Sequence, residues 1–113
     1  MSASSELIQR QLDAYNSQNM EAFLACYAED AELASLNGGV NQKGLDAIRK
    51  RHEELFFQFP KNRAKLVNRI DLGATVIDHE AVERSPGGEQ FQVAAIYTIR
   101  DGKIARVDFA RAG

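Results

Sequence analysis

The spacing of apolar residues changes part-way along this chain, and that change most constrains what it can fold into. In the first half they recur at helical spacing, as in Ile8, Leu12 and Tyr15. From about Leu66 onward they fall in short segments rich in β-branched and aromatic residues, which is typical of strands. Helices first and strands afterwards predict an α+β domain whose helices pack on one face of a curved sheet.

The element boundaries follow from capping and turn residues. Asn19 is a good N-cap for a second helix, and Pro60 ends a third helix that begins after Gly44. Asp101-Gly102 is a strong signal for a two-residue hairpin turn. The predicted helices are 5–15, 20–27 and 45–58. The predicted strands are a short one at 31–36 and an antiparallel meander of 66–72, 75–84, 90–100 and 103–111.

Length and composition exclude several classes of protein. The 113 residues suffice for one domain, so a single domain over residues 1–113 is predicted. A net charge of −2 without a block of one sign argues against nucleic-acid or anionic-membrane partners. No apolar run approaches the ~20 residues of a membrane span, and no signal-peptide pattern opens the chain. A cytoplasmic location is therefore expected.

The sequence contains few residues that bind metals or form disulfides. Cys26 is the one cysteine, which cannot form an internal disulfide and is expected to be buried in a helical stripe. His52 and His79 are the two histidines, too few for a Cys/His metal set. No dinucleotide fingerprint or phosphate-binding glycine loop is present, so neither a metal nor a cofactor is predicted.

Two carboxylates stand two residues apart in the predicted strand 75–84, where the residues of the two faces alternate most clearly. Side chains of a strand alternate between faces, so Asp78 and Glu80 share one face, flanked by Val76 and Val82. If that face lines a cavity, loss of water and mutual repulsion raise at least one pKa toward the range of proton transfer.

Three short motifs occur in an order that points to a known family. They are Tyr27-Ala28-Glu29-Asp30-Ala31-Glu32-Leu33, Gly44-Leu45-Asp46-Ala47-Ile48 and Ile96-Tyr97-Thr98-Ile99-Arg100-Asp101-Gly102-Lys103-Ile104. With the element order, they make the chain resemble, over nearly its whole length, the SnoaL-like branch of the nuclear transport factor 2 superfamily. The resemblance implies an NTF2-like cone in which three helices close one side of a strongly curved, mostly antiparallel sheet around a pocket. It also implies a homodimer formed through the outer face of the sheet.

The catalytic residues of two enzyme groups in that superfamily are largely missing. Ketosteroid isomerases use an Asp base and an oxyanion hole made by a Tyr and a protonated Asp. The corresponding positions here hold Ser35, Gln11 and Ala95, so that mechanism is not expected in those positions. Of the Asp-Arg-Asp set in limonene-epoxide-hydrolase-like enzymes, one acidic position survives, as Glu80.

Both comparisons place the same strand positions on the concave side of the sheet. Glu80 is accordingly predicted as a general base and Asp78 as the holder of a shared proton. His79, one position out of phase, is expected on the convex face. The predicted ligand contacts are Ser35, His52, Val76, Val82, Val93, Ala95, Tyr97, Val107 and Phe109.

Two interpretations of the acidic pair remain open at this point. Either the two carboxyl groups share a proton in an apolar pocket, or the strand end is wet or a base such as Arg69 or Arg84 neutralises them. Arg69 itself is expected to be a solvated charge at a strand edge.

Two functions also remain open. The first is a cofactor-independent isomerase, hydrolase, dehydratase or cyclase with a carboxylate base. The second is a non-catalytic ligand-binding or accessory module. In either case an apolar or mildly polar small molecule is the expected partner.

Overall fold

A computed structural model describes residues 2–112 of the chain and shows three helices and six strands in those residues. The helices are α1 (Ala3–Ser17), α2 (Met20–Leu24) and α3 (Leu45–Gln58). The strands are β1 (Tyr27–Ser35), β2 (Val40–Lys43), β3 (Arg63–Asp71), β4 (Thr75–Glu83), β5 (Gln90–Arg100) and β6 (Lys103–Arg111).

The six strands form one curled, open sheet in the order β2-β1-β6-β5-β4-β3. Strands β3 to β6 make the antiparallel meander that the sequence predicts, and β5 and β6 have the predicted bounds. Strand β1 pairs with β6 in parallel, while β2 pairs with β1 antiparallel and lies at the edge. The predicted α+β class and NTF2-like architecture are therefore confirmed.

Two element predictions were wrong near residues 20–43. The second helix ends at Leu24, and Tyr27, predicted as its last buried position, already begins β1. Strand β1 consequently starts four residues before the predicted Ala31. Strand β2 was not predicted, because its four residues are mostly polar and exposed and its pairing with β1 is a long-range contact.

Helix α1 is fixed at both ends and along its buried face. The Ser2 side chain accepts a hydrogen bond from the Ser5 amide, and Gln18 closes the helix in the left-handed conformation with φ 57°. The Asn16 side chain bonds both backbone groups of Ala64, at 2.8 and 2.9 Å, and so attaches the end of α1 to β3. These contacts hold α1 against the concave face of the sheet.

Strand β4 shows regular alternation between buried and partly exposed residues along its whole length. Val76, Asp78, Glu80 and Val82 are buried on the concave side, while His79 points outward and contacts Gln92 of β5. The predicted strand phase is confirmed.

None of the helices in residues 2–112 is long and apolar enough to span a membrane.

Candidate functional site

A cavity of about 640 Å³ lies between the helices and the concave face of the sheet. Its volume is in the range of pockets that bind small molecules. The lining combines aromatic and aliphatic side chains with a few polar ones. The lining residues are Gln11, Leu12, Tyr15, Phe23, Tyr27, Leu33, Ser35, Asn41, Gln42, Arg51, His52, Leu55, Glu80, Val82, Arg84, Phe91, Val93, Tyr97, Phe109 and Arg111.

Glu80 is a buried carboxylic acid on the cavity wall. Its side chain points inward from β4, the residue is 7% exposed, and its Oε2 has no hydrogen-bond partner among residues 2–112. Burial raises its pKa from 4.5 to about 7, with a further increase from the negative charge of Asp78 and a decrease from Arg69. Near neutral pH this group therefore both accepts and donates a proton.

Asp78 forms the ion pair with a base that the sequence left open as the alternative to a shared proton. It is fully buried, and Arg69 of β3 donates to both of its oxygens, at 2.7 and 2.9 Å. Arg69 also donates to Gln9 of α1 at 3.0 Å. The carboxylate is neutralised by this ion pair and does not line the cavity. Arg69, predicted to be solvated, has a side chain that is only 11% exposed.

Gln11 of α1 lies where two buried tyrosines meet the cavity. The hydroxyl groups of Tyr27 and Tyr97 lie 2.9 and 3.4 Å from its Oε1 and donate to it. Burial raises the pKa of both phenols well above the usual value, so they stay protonated. Because Oε1 accepts both bonds, the amide Nε2 is left as the donor of a residue that lines the cavity. The side chain thus presents an oriented N–H donor to the cavity.

His52 of α3 is packed among aromatic rings. Its ring centroid lies 4.5 Å from that of Phe23 and 5.8 Å from that of Phe56. Its Nδ1 donates to the carbonyl oxygen of Ile48 at 2.9 Å. Burial lowers its pKa to about 4, assisted by the positive charges of Arg51 and Arg84. His52 is therefore a neutral wall residue at physiological pH, and no bond to Glu80 is present within residues 2–112.

Similarity to known proteins agrees with this architecture. Residues 8–107 match the SnoaL-like domain family, which is 100 of the 113 residues. The chain belongs to the SnoaL-like domain family. No curated protein matches the sequence.

Solved structures extend the comparison of this SnoaL-like domain. An uncharacterised cystatin-fold protein from Novosphingobium aromaticivorans is 30% identical, with 98% of this chain and 99% of that chain covered and a TM-score of 0.90. A candidate polyketide cyclase from Sinorhizobium meliloti is 19% identical, with coverage of 97% and 100% and a TM-score of 0.81. TerC, crystallised with polyporic acid, is 20% identical, with coverage of 98% and 92% and a TM-score of 0.82. The similarity to the candidate polyketide cyclase and to TerC shows a shared fold.

The SnoaL-like cavity contains most but not all of the predicted site residues. Those on its wall are Ser35, His52, Glu80, Val82, Val93, Tyr97 and Phe109. Val76, Ala95 and Val107 have the same strand phase, but they are fully buried in the core cluster with Leu7 and Ile8 of α1. They were wrongly predicted as ligand contacts, because strand phase gives the face of the sheet but not how far the helices cover it.

Several polar wall residues were not predicted. Arg84 follows Val82 at the next inward position, and Arg111 follows Phe109 in the same way. Continuing the alternation by two residues on each strand would have found both. The sequence identifies Gln11 only as a replacement for a family Tyr, since its pairing with two tyrosines depends on contacts between distant segments.

In the described part of the chain, no group of three or more His, Cys, Asp or Glu side chains is close enough to hold a metal ion.

Proposed function

We propose that this SnoaL-like domain is a cofactor-independent enzyme that transfers a proton on a small, largely apolar molecule bound in the cavity. Glu80 is the observation that carries the proposal. A carboxyl group with a pKa of about 7 is half ionised near neutral pH, which is the condition under which general acid–base catalysis is most effective. Its Oε2 has no hydrogen-bond partner among the described residues, and the residue lines the cavity.

Gln11 supplies the second element of the proposed chemistry. An oriented N–H donor on the cavity wall stabilises the negative charge that develops on a carbonyl oxygen when a neighbouring carbon loses its proton. In this step Glu80 takes the proton from the carbon next to the carbonyl group, and the C–H electron pair moves to the oxygen as an enolate. The protonated Glu80 then returns the proton to carbon or delivers it to a leaving oxygen. The first outcome is isomerisation and the second is dehydration. In cyclisation the enolate carbon instead attacks a second carbonyl group of the same molecule, and the protonated Glu80 gives its proton to the alkoxide that forms.

Arg69 and Asp78 act as positioning residues in this proposal. Their ion pair lies directly beside Glu80 on the same face of the sheet, and the two charges act on its pKa in opposite directions. The two charges oppose each other at Glu80, so burial remains the main cause of its raised pKa. The candidate polyketide cyclase with the same fold is consistent with such chemistry.

A ligand-binding module without chemistry is the alternative. The neutral, aromatic surroundings of His52 favour it, since Tyr15 and Phe23 line the cavity and offer a binding surface that no reaction requires.

Proton exchange tests the proposal at its first chemical step, which all of these reactions share. A panel of aryl ketones and β-keto esters is incubated with the protein in D₂O, and deuterium incorporation next to the carbonyl group is followed by NMR. The expected result is exchange by the natural protein that Glu80→Gln abolishes and Gln11→Leu lowers by on the order of 10²-fold. Glu83→Gln, which removes a carboxylate from the other side of β4, is the matched control.

The titration of Glu80 decides between the two functions. An NMR titration of the labelled carboxyl carbon should show a midpoint near 7. Exchange that persists in Glu80→Gln would remove Glu80 from the mechanism. No exchange by the natural protein, or a midpoint near 4.5, would favour the binding module.

A further inference from the structure

The cavity contains an excess of positive charge that the proposed proton transfer does not use. Arg51, Arg84 and Arg111 all line it, and Glu80 is the one acidic side chain among the described lining residues. Because half of the Glu80 groups are protonated near pH 7, the cavity as a whole is cationic. A chain with a net charge of −2 has therefore concentrated arginine around this opening.

Arg84 and Arg111 are held in place by the same aromatic ring. Their guanidinium carbons lie 4.8 and 3.8 Å from the ring centroid of Phe91. Stacking uses the flat faces of a guanidinium group, so the N–H groups at its edges still form hydrogen bonds in the plane of the group. The arginines are therefore oriented before a ligand arrives, which reduces the entropy cost of binding.

The charge of Arg84 is not balanced by a neighbouring carboxylate. Its guanidinium donates to the neutral Asn62 side chain at 2.9 Å, and it forms no ion pair with any residue of the described chain. Arg111 does pair with Glu89 at 2.9 Å, but both side chains are more than half exposed. Such surface pairs are weak and easily exchanged for another anion.

The distance between the two ends of the site sets the size of the ligand. Glu80 and Arg84 are four residues apart on an inward face, which corresponds to roughly 13 Å along the strand. The intervening wall is apolar and includes Val82, with Val93 on the neighbouring strand. A molecule that reaches from Glu80 to Arg84 therefore lies against this apolar wall.

We infer that the ligand of this cavity is an anion with an apolar ring body, whose carboxylate or equivalent acidic group binds Arg84 and Arg111 while the reacting end reaches Glu80. The inference rests on the proposed function for the identity of the reacting end, but the preference for an anion stands on the arginines alone. A small inorganic anion leaves the apolar wall uncovered, and a cationic ligand is repelled.

A pair of fluorescent probes that differ in one charged group tests the inference. The sulfonate 1-anilinonaphthalene-8-sulfonate and its uncharged analogue N-phenyl-1-naphthylamine have the same ring body. Dissociation constants are measured for both with the natural protein, Arg84→Gln, Arg111→Gln and Glu80→Gln. Arg100→Gln is the matched control, because it removes the same charge from the far end of β5, where Arg100 pairs with the exposed Asp30.

The natural protein should bind the sulfonate roughly tenfold more tightly than the uncharged probe, since one charge-assisted contact is worth about that factor. Arg84→Gln should remove most of this preference while changing the affinity for the uncharged probe less than twofold. The control should retain the preference, and added salt should weaken binding of the sulfonate only.

Several outcomes would overturn the inference. Equal affinity for the two probes, no binding of either, or an equal loss in Arg84→Gln and Arg100→Gln would each contradict a specific anion site. No turnover is involved, and Glu80→Gln removes the one acidic side chain among the described lining residues, so it should increase the preference for the sulfonate. A protein that prefers the sulfonate but exchanges no protons would refute the proposed function and leave this inference standing.

Discussion

Replacing Glu80 with glutamine should make the protein more stable at high pH, even though it removes a buried wall residue. The pKa of this carboxyl group is 4.5 without burial and about 7 in the folded protein, and burial is the main cause. Between these two values the folded state binds more protons than the unfolded state. The free energy of unfolding therefore falls as pH rises from about 4.5 to 7, and is constant above that range.

The size of the effect follows from the same two values. Each pH unit between them corresponds to about 1.4 kcal/mol, so ionised Glu80 lowers the stability of the folded protein by about 3 kcal/mol at pH 8. Glutamine does not ionise and avoids this cost. The difference in stability between the variant and the natural protein should therefore grow by about 3 kcal/mol from pH 4 to pH 8, or by roughly 10 °C or more in Tm for a domain of this size.

Urea unfolding followed by circular dichroism, at closely spaced pH values between 4 and 8, measures that difference. Values at pH 4 serve as the baseline, because they contain the effect of exchanging a neutral acid for an amide. Glu83→Gln is measured alongside to control for the loss of one carboxylate from β4. Parallel pH profiles for Glu80→Gln and the natural protein would refute the reasoning, since they would mean that folding does not change the titration of this group.

Three further predictions concern the framework around the site. Arg69→Gln should lower the free energy of unfolding by about 3–5 kcal/mol, because it leaves the carboxylate of Asp78 buried without its partner; a loss below about 1 kcal/mol in urea unfolding would contradict the buried ion pair. Asn16→Ala should cost about 1–3 kcal/mol, since both backbone groups of Ala64 lose their partner; unchanged hydrogen exchange at the Ala64 amide would argue against this. If the domain dimerises through the outer face of its sheet, as proposed from the family resemblance, Ile96→Glu should give monomers in analytical ultracentrifugation; a monomeric natural protein would end that proposal.

The strands in the second half of the chain were predictable because the sequence patterns that specify them lie within short segments. Alternation along β4, β5 and β6 reports which face is buried, and Asp101-Gly102 specifies a two-residue turn with both residues at positive φ. The region around β1 and β2 was less predictable. There, Tyr27 continues a helical spacing after the helix has ended, and β2 exists only because β1 pairs with it.

The ion-pair partners of the site residues were less predictable than the face of the sheet on which those residues lie. The sequence indicates that Asp78 and Glu80 face inward together, and it cannot distinguish which of the two has a cation beside it. Arg69 lies opposite Asp78 in the register of β3 and β4, and a bulge just before that pair sets the register. Two acids that are equivalent in the sequence thus become an ion-paired carboxylate and a carboxylic acid with a pKa near 7.

The sequence by itself determined the α+β class, the family resemblance, the strand phase and the inward direction of Glu80, since each depends on periodicity or on short segments. The tertiary structure alone decided how far the cavity extends, that Arg69 neutralises Asp78, that two tyrosines orient Gln11, and that Arg84 and Arg111 share the ring of Phe91. The physical reason is that a pKa or a binding preference depends on groups within a few ångströms, and here those groups come from segments far apart in the chain.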